Sequence, residues 1–417
     1  MEKIKFLDIS GINCWLVNLK PFPSGTDKNT IDDFQKKCIF QHKIFGMGWP
    51  AEIENGTLLK DGKSNYLKRQ ETHDKHRAIE KAADSFNEVR CGDIVMTRTR
   101  EGYYYIGKVA TEAKHDDQYD RLSWFCEVQE WYEFKTDKNL PTEICGRLSN
   151  RYQSTIVKLD KYRQKLLLIA AYEKKSDDIV LSTRVPKIRL TQDNFARSLN
   201  YMELEDLVCA YMYEHTREEY PNANYILLPS SGKSSRPKYE FDFVSADEKA
   251  ITCQVKNQAN IDISKYESDS YDIYEKIYIF SAKGAEEGYE GNTTRENIIK
   301  IDPKELFESL CKFGYMRYVR DKLSEYYCIN QSYPSIEQIE EKLTNSNKWE
   351  RTETEKDLGE WKYNLSSVEE IDNKSVTRWV LFEHDCFFYS EDFGCFIISE
   401  QNKNNRRIEQ SLREIFN

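Results

Sequence analysis

A pair of short alternating stretches, joined by a charged turn, constrains this 417-residue chain more than any other part of the sequence. Residues 238–258 read KYEFDFVSADEKAITCQVKNQ. Successive side chains of a β-strand point to opposite faces, so Glu240 and Asp242 share one face of the first predicted strand. Gln254 and Lys256 likewise share one face of the second, and apolar residues occupy the reverse faces. The pattern therefore predicts a hairpin with one polar face.

The length of the connecting turn sets which residues of the hairpin lie opposite each other. A three-residue turn at 247–249 would place Asp242 opposite Gln254 and Glu240 opposite Lys256. Directly opposed Cβ atoms lie only about 5 Å apart. On this register we expect a carboxylate, an amide oxygen and an ammonium group to converge.

These groups suit the hydrolysis of a phosphodiester bond. The reaction needs a hard divalent cation, oxygen ligands to hold it, and a positive charge near the phosphate. Asp242 is the expected primary ligand of Mg²⁺, with Mn²⁺ as a substitute, while the Gln254 side chain and the Val255 carbonyl are further ligands. Lys256 would position or help to deprotonate the attacking water. A second acid is expected from the preceding helix, where Glu205 is the first choice.

Two other acids and a basic loop complete the candidate site. Glu240 and Asp206 are alternatives to Glu205 as the second metal-binding acid. The loop that enters the Asp242 strand carries three cations, Lys233, Arg236 and Lys238, which could contact phosphates without reading sequence. A solvated surface loop explains the same composition. A surface ion pair between Asp242 and Lys256 is likewise the structural alternative to a catalytic site.

The order of these features resembles the Mrr-like branch of the PD-(D/E)xK nucleases. Helix-borne Glu205 is followed by Asp242, by the Gln254-Val255-Lys256 triplet, by the strand IYIFS and by the helix KELFESLCKF. The resemblance covers residues 191–315 and implies a magnesium-dependent DNA endonuclease on a restriction-endonuclease-like αβββαβ fold. The chain departs from the general pattern because it lacks a Pro before Asp242 and has Gln254 where the broader superfamily has Asp or Glu, a replacement that many members of the Mrr-like branch share.

The first 160 residues have a different character, with short β-rich runs around one helical stretch. Apolar residues recur at helical spacing over 74–89. Turns at Gly92-Asp93 and Glu101-Gly102 then bound a hairpin of strands 94–97 and 103–109. Further β-like runs at 124–132 and 154–159 complete a small barrel-like sheet.

This N-terminal pattern resembles the PUA-like superfamily, and EVE-type domains in particular. The segments that carry the resemblance are Cys14-Trp15-Leu16, Gly46-Met47-Gly48-Trp49, Gly92-Asp93-Ile94-Val95, Tyr105-Ile106-Gly107-Lys108-Val109 and Ser154-Thr155-Ile156. The resemblance implies a pocket that stacks a flipped, modified base, with Trp15, Trp49, Tyr103 and Trp124 as its candidate lining. Core packing is the alternative for each of these aromatics.

Length and pattern together predict a multidomain protein of mixed α/β and α+β class. A chain of 417 residues exceeds the about 250–300 residues over which one core keeps growing. We expect a PUA-like β-barrel reader at 1–160, a helical linker at 161–190, the nuclease domain at 191–315 and a small α+β region of unknown role at 316–417.

Composition narrows the class of protein further. The net charge of −10 argues against a general nucleic-acid coat protein but leaves room for a local basic cleft. The eleven cysteines form no CxxC pair and are expected to be reduced and mostly buried. Neither a membrane-spanning stretch nor a secretory signal is evident, so a cytoplasmic protein is expected.

These expectations combine into a modification-dependent DNA endonuclease of restriction or anti-phage defence. A homodimer would supply the two active sites that double-strand cleavage commonly needs. Two alternatives stay open at this stage: a catalytically inactive nucleic-acid reader or regulatory protein on the same fold, and a protein directed at RNA.

Overall fold

The computed structural model describes most of the chain. Its described ranges are 4–20, 25–47, 76–119, 122–148, 155–221, 226–229, 241–245, 250–257, 260–283, 288–329, 333–358, 361–369, 376–382 and 386–416. The helices in these ranges are α1 (Lys28–Lys36), α2 (His76–Glu88), α3 (Thr142–Leu148), α4 (Tyr162–Ser176), α5 (Tyr201–Glu219), α6 (Pro303–Lys312), α7 (Arg317–Leu323), α8 (Ile336–Asn345) and α9 (Asn405–Phe416).

The strands are short and numerous, as expected of a chain with several sheets. They are β1 (Lys5–Asp8), β2 (Cys14–Val17), β3 (Ile44–Met47), β4 (Ile94–Arg98), β5 (Tyr104–Val109), β6 (Lys114–Tyr119), β7 (Leu122–Phe134), β8 (Ile156–Lys158), β9 (Ile188–Arg189), β10 (Ile226–Pro229), β11 (Phe241–Val244), β12 (Ala250–Lys256), β13 (Ile261–Asp262), β14 (Tyr274–Ser281), β15 (Tyr289–Glu290), β16 (Ile298–Lys300), β17 (Tyr327–Cys328), β18 (Glu350–Arg351), β19 (Lys362–Glu369), β20 (Val376–Phe382), β21 (Phe387–Ser390) and β22 (Cys395–Ile398). The mixed α/β class expected from the sequence is confirmed.

The chain divides into two compact units that do not follow the predicted domain boundaries. The first unit contains Met1–Lys187, Pro334–Asn364 and Val380–Asn417, and the second contains Ile188–Tyr333 and Leu365–Trp379. Region 316–417 is therefore shared between the units. Helix α4 contacts strands β2, β4, β5 and β7 and is largely buried, so the segment expected to be a linker is part of the first core.

The first unit is built on a half-barrel sheet with the order β3-β7-β5-β4-β2-β8, and β6 also pairs with β7. The predicted hairpin is confirmed as β4 and β5, and Gly102 at its turn has φ of +96°, a conformation that L side chains rarely adopt. Gly107 is also required, because a Cβ there would lie 2.4 Å from a Val128 methyl. The sheet stays open within the described residues, whereas a closed barrel was expected.

A second sheet lies mainly in the first unit and contains strands β1 and β22. Its order is β1-β22-β21-β20-β19-β18, and β1 pairs with β22 in parallel, with Lys5 beside Cys395. Helix α9 supplies Ile408 and Leu412 to the buried interior. Strand β22 and helices α8 and α9 give this part of the chain the α+β character expected of region 316–417, and Ser335 and Gln338 form a capping box at the start of α8.

The second unit carries a five-stranded sheet with the order β10-β11-β12-β14-β16. The first three strands are antiparallel, and β12, β14 and β16 run parallel. The described part of the β12 to β14 crossover contains 3₁₀ turns at Ile263–Glu267 and Asp269–Tyr271, and α6 comes only after β16. The predicted αβββαβ order is therefore wrong. Ile263 and Tyr266 of the first 3₁₀ turn pack into the apolar cluster on the sheet, so this crossover covers the sheet without an α-helix.

The cysteines behave as the sequence predicts. All eleven are free, and six of them, including Cys14 and Cys395, are buried. Burial raises the pKa of both of these thiols, so they stay protonated at neutral pH. None of the helices in the described ranges combines the length and apolar character that crossing a bilayer requires.

A buried ion pair fixes the start of helix α5 in the second unit. Glu203 completes a capping box with Asn200, and its carboxylate also accepts a hydrogen bond from the Lys322 ammonium at 2.5 Å. Lys322 is only 3% exposed at its side chain. Removing one partner of a buried pair leaves the other charge without compensation.

We therefore expect Glu203→Gln to destabilise the protein by about 3–5 kcal/mol, because the amide can keep the capping contact but leaves Lys322 unpaired. Urea unfolding would measure this change. The same substitution in the exposed pair of Glu308 and Lys312 is the control and should alter stability by less than about 1 kcal/mol. Equal effects of the two substitutions would contradict the structural role of the buried pair.

Candidate functional site

Asp242 occupies the middle of strand β11 and is 7% exposed. Strand β11 pairs with β12 in a register that places Asp242 opposite Thr252, whose hydroxyl donates to Asp242 Oδ1 at 2.6 Å. The predicted pairing of Asp242 with Gln254 is thus wrong by two residues. The physical reason is the turn: Val244 pairs with Ala250, so residues 245–249 separate the paired strands, two residues more than the predicted turn.

The corrected register keeps the predicted side chains on one face but spreads them along it. A slip of two residues preserves the face because strand side chains alternate with period two. Gln254 becomes a diagonal neighbour of Asp242, at a Cα separation of about 7–8 Å. Lys256 lies a further two residues along β12, a rise of about 6–7 Å that its long side chain can partly span.

The face that carries Asp242 has an apolar part and a polar part. Ala250, Ile277 and Ile279 join a buried cluster with Ile261 of strand β13. Ser281, which is buried, lies beside Lys256 in the parallel β12–β14 register. The polar part is therefore formed by the following side chains: Asp242, Thr252, Gln254, Lys256 and Ser281.

Sequence reasoning missed Thr252 and Ser281 as members of this site. Both share the strand alternation of Gln254 and Lys256, so their face could have been assigned from the pattern. Their partners depend on register, which the pattern leaves undetermined.

Helix α5 lies on the opposite face of the sheet from Asp242. The Tyr213 ring of α5 packs against Phe243, with ring centroids 6.4 Å apart, and Phe243 alternates with Asp242 along β11. Glu205 is half-buried in the second turn of α5. Its carboxylate can therefore approach the Asp242 face only past the end of a strand.

The end of strand β12 that carries Lys256 lies beside the start of helix α5. Asn257 Nδ2 donates to the Leu199 carbonyl at 3.4 Å, immediately before the helix cap. Glu205 follows in the second turn of α5, six residues after Leu199. Asn257 Oδ1 is buried and has no hydrogen-bond partner among the described residues, which marks Asn257 as a third residue that sequence reasoning missed.

The donor set suits a hard divalent cation. The Lys256 carbonyl accepts a hydrogen bond from the Ala282 amide on the β14 side, at 2.9 Å. Carbonyls alternate in direction along a strand, so the Val255 carbonyl points toward the β11 side. Carboxylate, amide and carbonyl oxygens are ligands that Mg²⁺ accepts. Within the described ranges no three His, Cys, Asp or Glu side chains form a metal-binding group, so a site here would rely on neutral oxygens as well.

Several predicted residues lie outside the described residues. They are Trp49, Lys233, Arg236, Lys238 and Glu240. Asp206, the other alternative acid, lies on the exposed side of helix α5.

The aromatic residues predicted to line a base pocket have different environments. Trp15 is completely buried, and its Nε1 donates to Asp93 Oδ2 at 2.8 Å. Trp124 is also fully buried and packs against Phe86. Tyr103 is 38% exposed. Of these three residues, only Tyr103 presents substantial surface to solvent.

The hydrogen bond to Asp93 accounts for the burial of the Trp15 indole. This buried carboxylate accepts hydrogen bonds from the Asn13 amide at 2.9 Å and the Arg90 amide at 2.9 Å in addition to the indole. Such a network satisfies a charge that would otherwise be costly to bury. It also joins the start of β2 to the turn before β4.

Trp15→Phe tests the structural role of this network. We expect a loss of about 1.5–3 kcal/mol in the free energy of unfolding, the contribution of a hydrogen bond to a charged group. Tyr103→Ala should change stability by no more than about 0.5 kcal/mol because its side chain is exposed. Chemical denaturation measures both variants, and an unchanged stability of Trp15→Phe would refute the role.

Thr252→Val tests the hydrogen bond that orients Asp242. We expect it to destabilise the second unit by about 1.5–3 kcal/mol, because a buried carboxylate loses a donor. Thr252→Ser keeps the hydroxyl and should lose only about 1 kcal/mol for the missing methyl group. Urea titration would compare the two variants, and a valine variant as stable as the serine variant would disprove the assignment.

No protein-family model matches this chain, and no curated protein sequence or solved structure shows significant similarity to it. Its function must therefore be inferred from its own residues and their arrangement.

Proposed function

We propose that the chain is a metal-dependent DNA endonuclease that hydrolyses phosphodiester bonds. The observation that carries the proposal is the shared polar face of β11 and β12, on which Thr252 orients Asp242, and Gln254 and Lys256 follow in order. The start of helix α5, with Glu205, lies at the Lys256 end of that face. This is the order of a PD-(D/E)xK site, with Gln254 in place of its second acid.

The residues that would hold Mg²⁺ or Mn²⁺ are Asp242 and Glu205 through their carboxylates, Gln254 through its amide oxygen, and Val255 through its backbone carbonyl. When bound, such an ion polarises the phosphate and lowers the pKa of a coordinated water. The chain's own part is positional. The Thr252 hydroxyl holds Oδ1 of Asp242, which directs the carboxylate along the sheet face.

Lys256 supplies the positive charge of the proposed site. Its ammonium donates hydrogen bonds to the attacking water or to a phosphate oxygen, and it compensates charge that develops on the phosphate. Ser281 lies beside it on β14 and keeps that edge of the face polar. The net charge of −10 restricts DNA contact to a local surface, for which the loop cations Lys233, Arg236 and Lys238 are candidates.

We propose that the first unit recognises the DNA substrate and acts as a reader of modified bases. Together with cleavage, this would make the protein a modification-dependent restriction or anti-phage enzyme of the cytoplasm. A homodimer would provide one active site for each DNA strand.

Lys256→Ala tests the catalytic proposal. We expect wild type to cut DNA with modified cytosines or adenines in the presence of Mg²⁺, and the variant to be slower by at least about 10²-fold, the loss typical of a removed transition-state contact. Lys265→Ala is the control, since Lys265 is an exposed lysine of the same unit. Nicking of plasmid and oligonucleotide substrates gives the rates.

Equal cleavage by wild type and Lys256→Ala would disprove the role of Lys256. Absence of cleavage of every modified and unmodified substrate, with either Mg²⁺ or Mn²⁺, would refute the nuclease proposal itself.

A catalytically inactive nucleic-acid reader is the second candidate. The observation that favours it is Gln254, which removes one negative charge from the metal ligands and weakens attraction for a cation. This function predicts DNA binding that persists in EDTA and is unaffected by Asp242→Asn. Competition between matched DNA and RNA ligands distinguishes a DNA reader from a protein directed at RNA.

A further inference from the structure

The first unit contains a cavity of about 490 Å³ that is separate from the hairpin site. This volume is within the range of about 300–1,000 Å³ that small-molecule sites usually have. Six residues line it: Lys348, Trp361, Arg407, Gln410, Ser411 and Glu414.

Four of the lining residues form one stripe of helix α9. Arg407, Gln410, Ser411 and Glu414 follow the spacing i, i+3, i+4 and i+7, which brings side chains to the same face of a helix. The reverse side of α9 packs into the core through Ile408 and Leu412. A regular helix therefore presents a cation, an amide, a hydroxyl and an acid to one cavity.

Trp361 forms the aromatic wall of the cavity. It adopts φ of +71°, a backbone conformation that is costly for a bulky residue. Its carbonyl accepts a hydrogen bond from the Glu350 amide at 2.8 Å, and its ring contacts Trp349 edge to face at 5.4 Å. These contacts hold the indole in place, and 36% of its surface stays exposed.

Ser411 points to an unmet hydrogen bond in the cavity wall. The residue is 3% exposed, and its hydroxyl has no hydrogen-bond partner among the described residues. A buried hydroxyl without a partner is costly unless a bound group satisfies it. A ligand that reaches the cavity wall at Ser411 would therefore satisfy this hydroxyl.

The charges of the lining favour an anion. Lys348 and Arg407 contribute two positive charges, and Glu414 contributes one negative charge. Lys348 and Glu414 form an ion pair at 2.7 Å, in which both side chains stay about half exposed. Cations bind phosphate, and an acid or amide can accept or donate hydrogen bonds at the edge of a base.

We propose that this cavity binds a nucleotide, with its base stacked on Trp361 and its phosphate held by Lys348 and Arg407. Ser411 and Gln410 would donate hydrogen bonds to the phosphate or the sugar. The site lies in the first unit and does not involve Asp242 or Lys256, so it stands or falls independently of the nuclease proposal.

Titration calorimetry of the full chain against nucleoside monophosphates and triphosphates, in ribose and deoxyribose forms, tests the proposal. We expect saturable binding of at least one nucleotide, with the matching nucleoside and inorganic phosphate each weaker by at least about tenfold, because each lacks one of the two contacts. Quenching of tryptophan fluorescence on binding should fall in Trp361→Phe.

Ser411→Ala and Arg407→Ala are the decisive variants. We expect each to weaken binding by about tenfold or more, the loss that follows from removing one strong hydrogen bond or charge. Ser411→Ala should keep or raise the midpoint temperature of thermal unfolding of the free protein, because the substitution removes an unpaired hydroxyl. Arg406→Ala changes an exposed arginine of the same helix and should bind like wild type.

The proposal is overturned if no nucleotide binds the wild-type chain at up to millimolar concentration. It is also overturned if Ser411→Ala folds normally and binds as tightly as wild type, or if inorganic phosphate alone competes as well as the nucleotide.

Discussion

Strand β12 is hydrogen-bonded along both edges, and the second unit depends on that double pairing. It runs antiparallel to β11 and parallel to β14, so a slip of one residue would break two ladders and turn every side chain to the other face. Such a slip would expose Ile251 and Cys253, which are completely buried. The hydrophobic effect therefore fixes the face on which Gln254 and Lys256 stand.

Burying a carboxylate, unlike burying an apolar side chain, costs free energy unless hydrogen-bond donors surround the charge. The structure meets this cost twice by different means. Asp242 receives the Thr252 hydroxyl from the neighbouring strand, and Asp93 receives two backbone amides and the Trp15 indole. Asp93 is enclosed where strands β2 and β4 begin, whereas Asp242 lies on a sheet face that also carries Gln254 and Lys256. That difference in surroundings makes Asp242 the better candidate for chemistry.

The sequence predicted the elements of both units better than their arrangement. Local signals identified the hairpin of β4 and β5 and helix α5, because turn residues and hydrophobic period act over a few positions. Helix α1 was missed, since its nine residues carry only a few apolar positions. The parallel pairing of β1 with β22 joins residues 390 positions apart, and no local pattern specifies such a partner.

For the candidate site, likewise, the sequence predicted the residues on one face but not the register between the strands. Alternation assigned Asp242, Gln254 and Lys256 to one face, and the structure agrees because strand period is a property of the backbone. The register was wrong because a turn of three residues and one of five leave the same faces exposed, so hydrophobic pattern does not distinguish them. Only the packing of the sheet selects the longer connection and gives Asp242 its Thr252 partner.

The environments of the aromatic residues were the least predictable, because the sequence does not distinguish a buried indole from one that stacks on a base. Stacking on a base requires a ring face that a ligand can reach. Trp15 and Trp124 do not meet this requirement, since both are fully enclosed in the core of the first unit. Trp361 is 36% exposed and lines a cavity, and its ring contacts Trp349 edge to face. A stacking site in the first unit is therefore better placed beside helix α9 than inside the half-barrel.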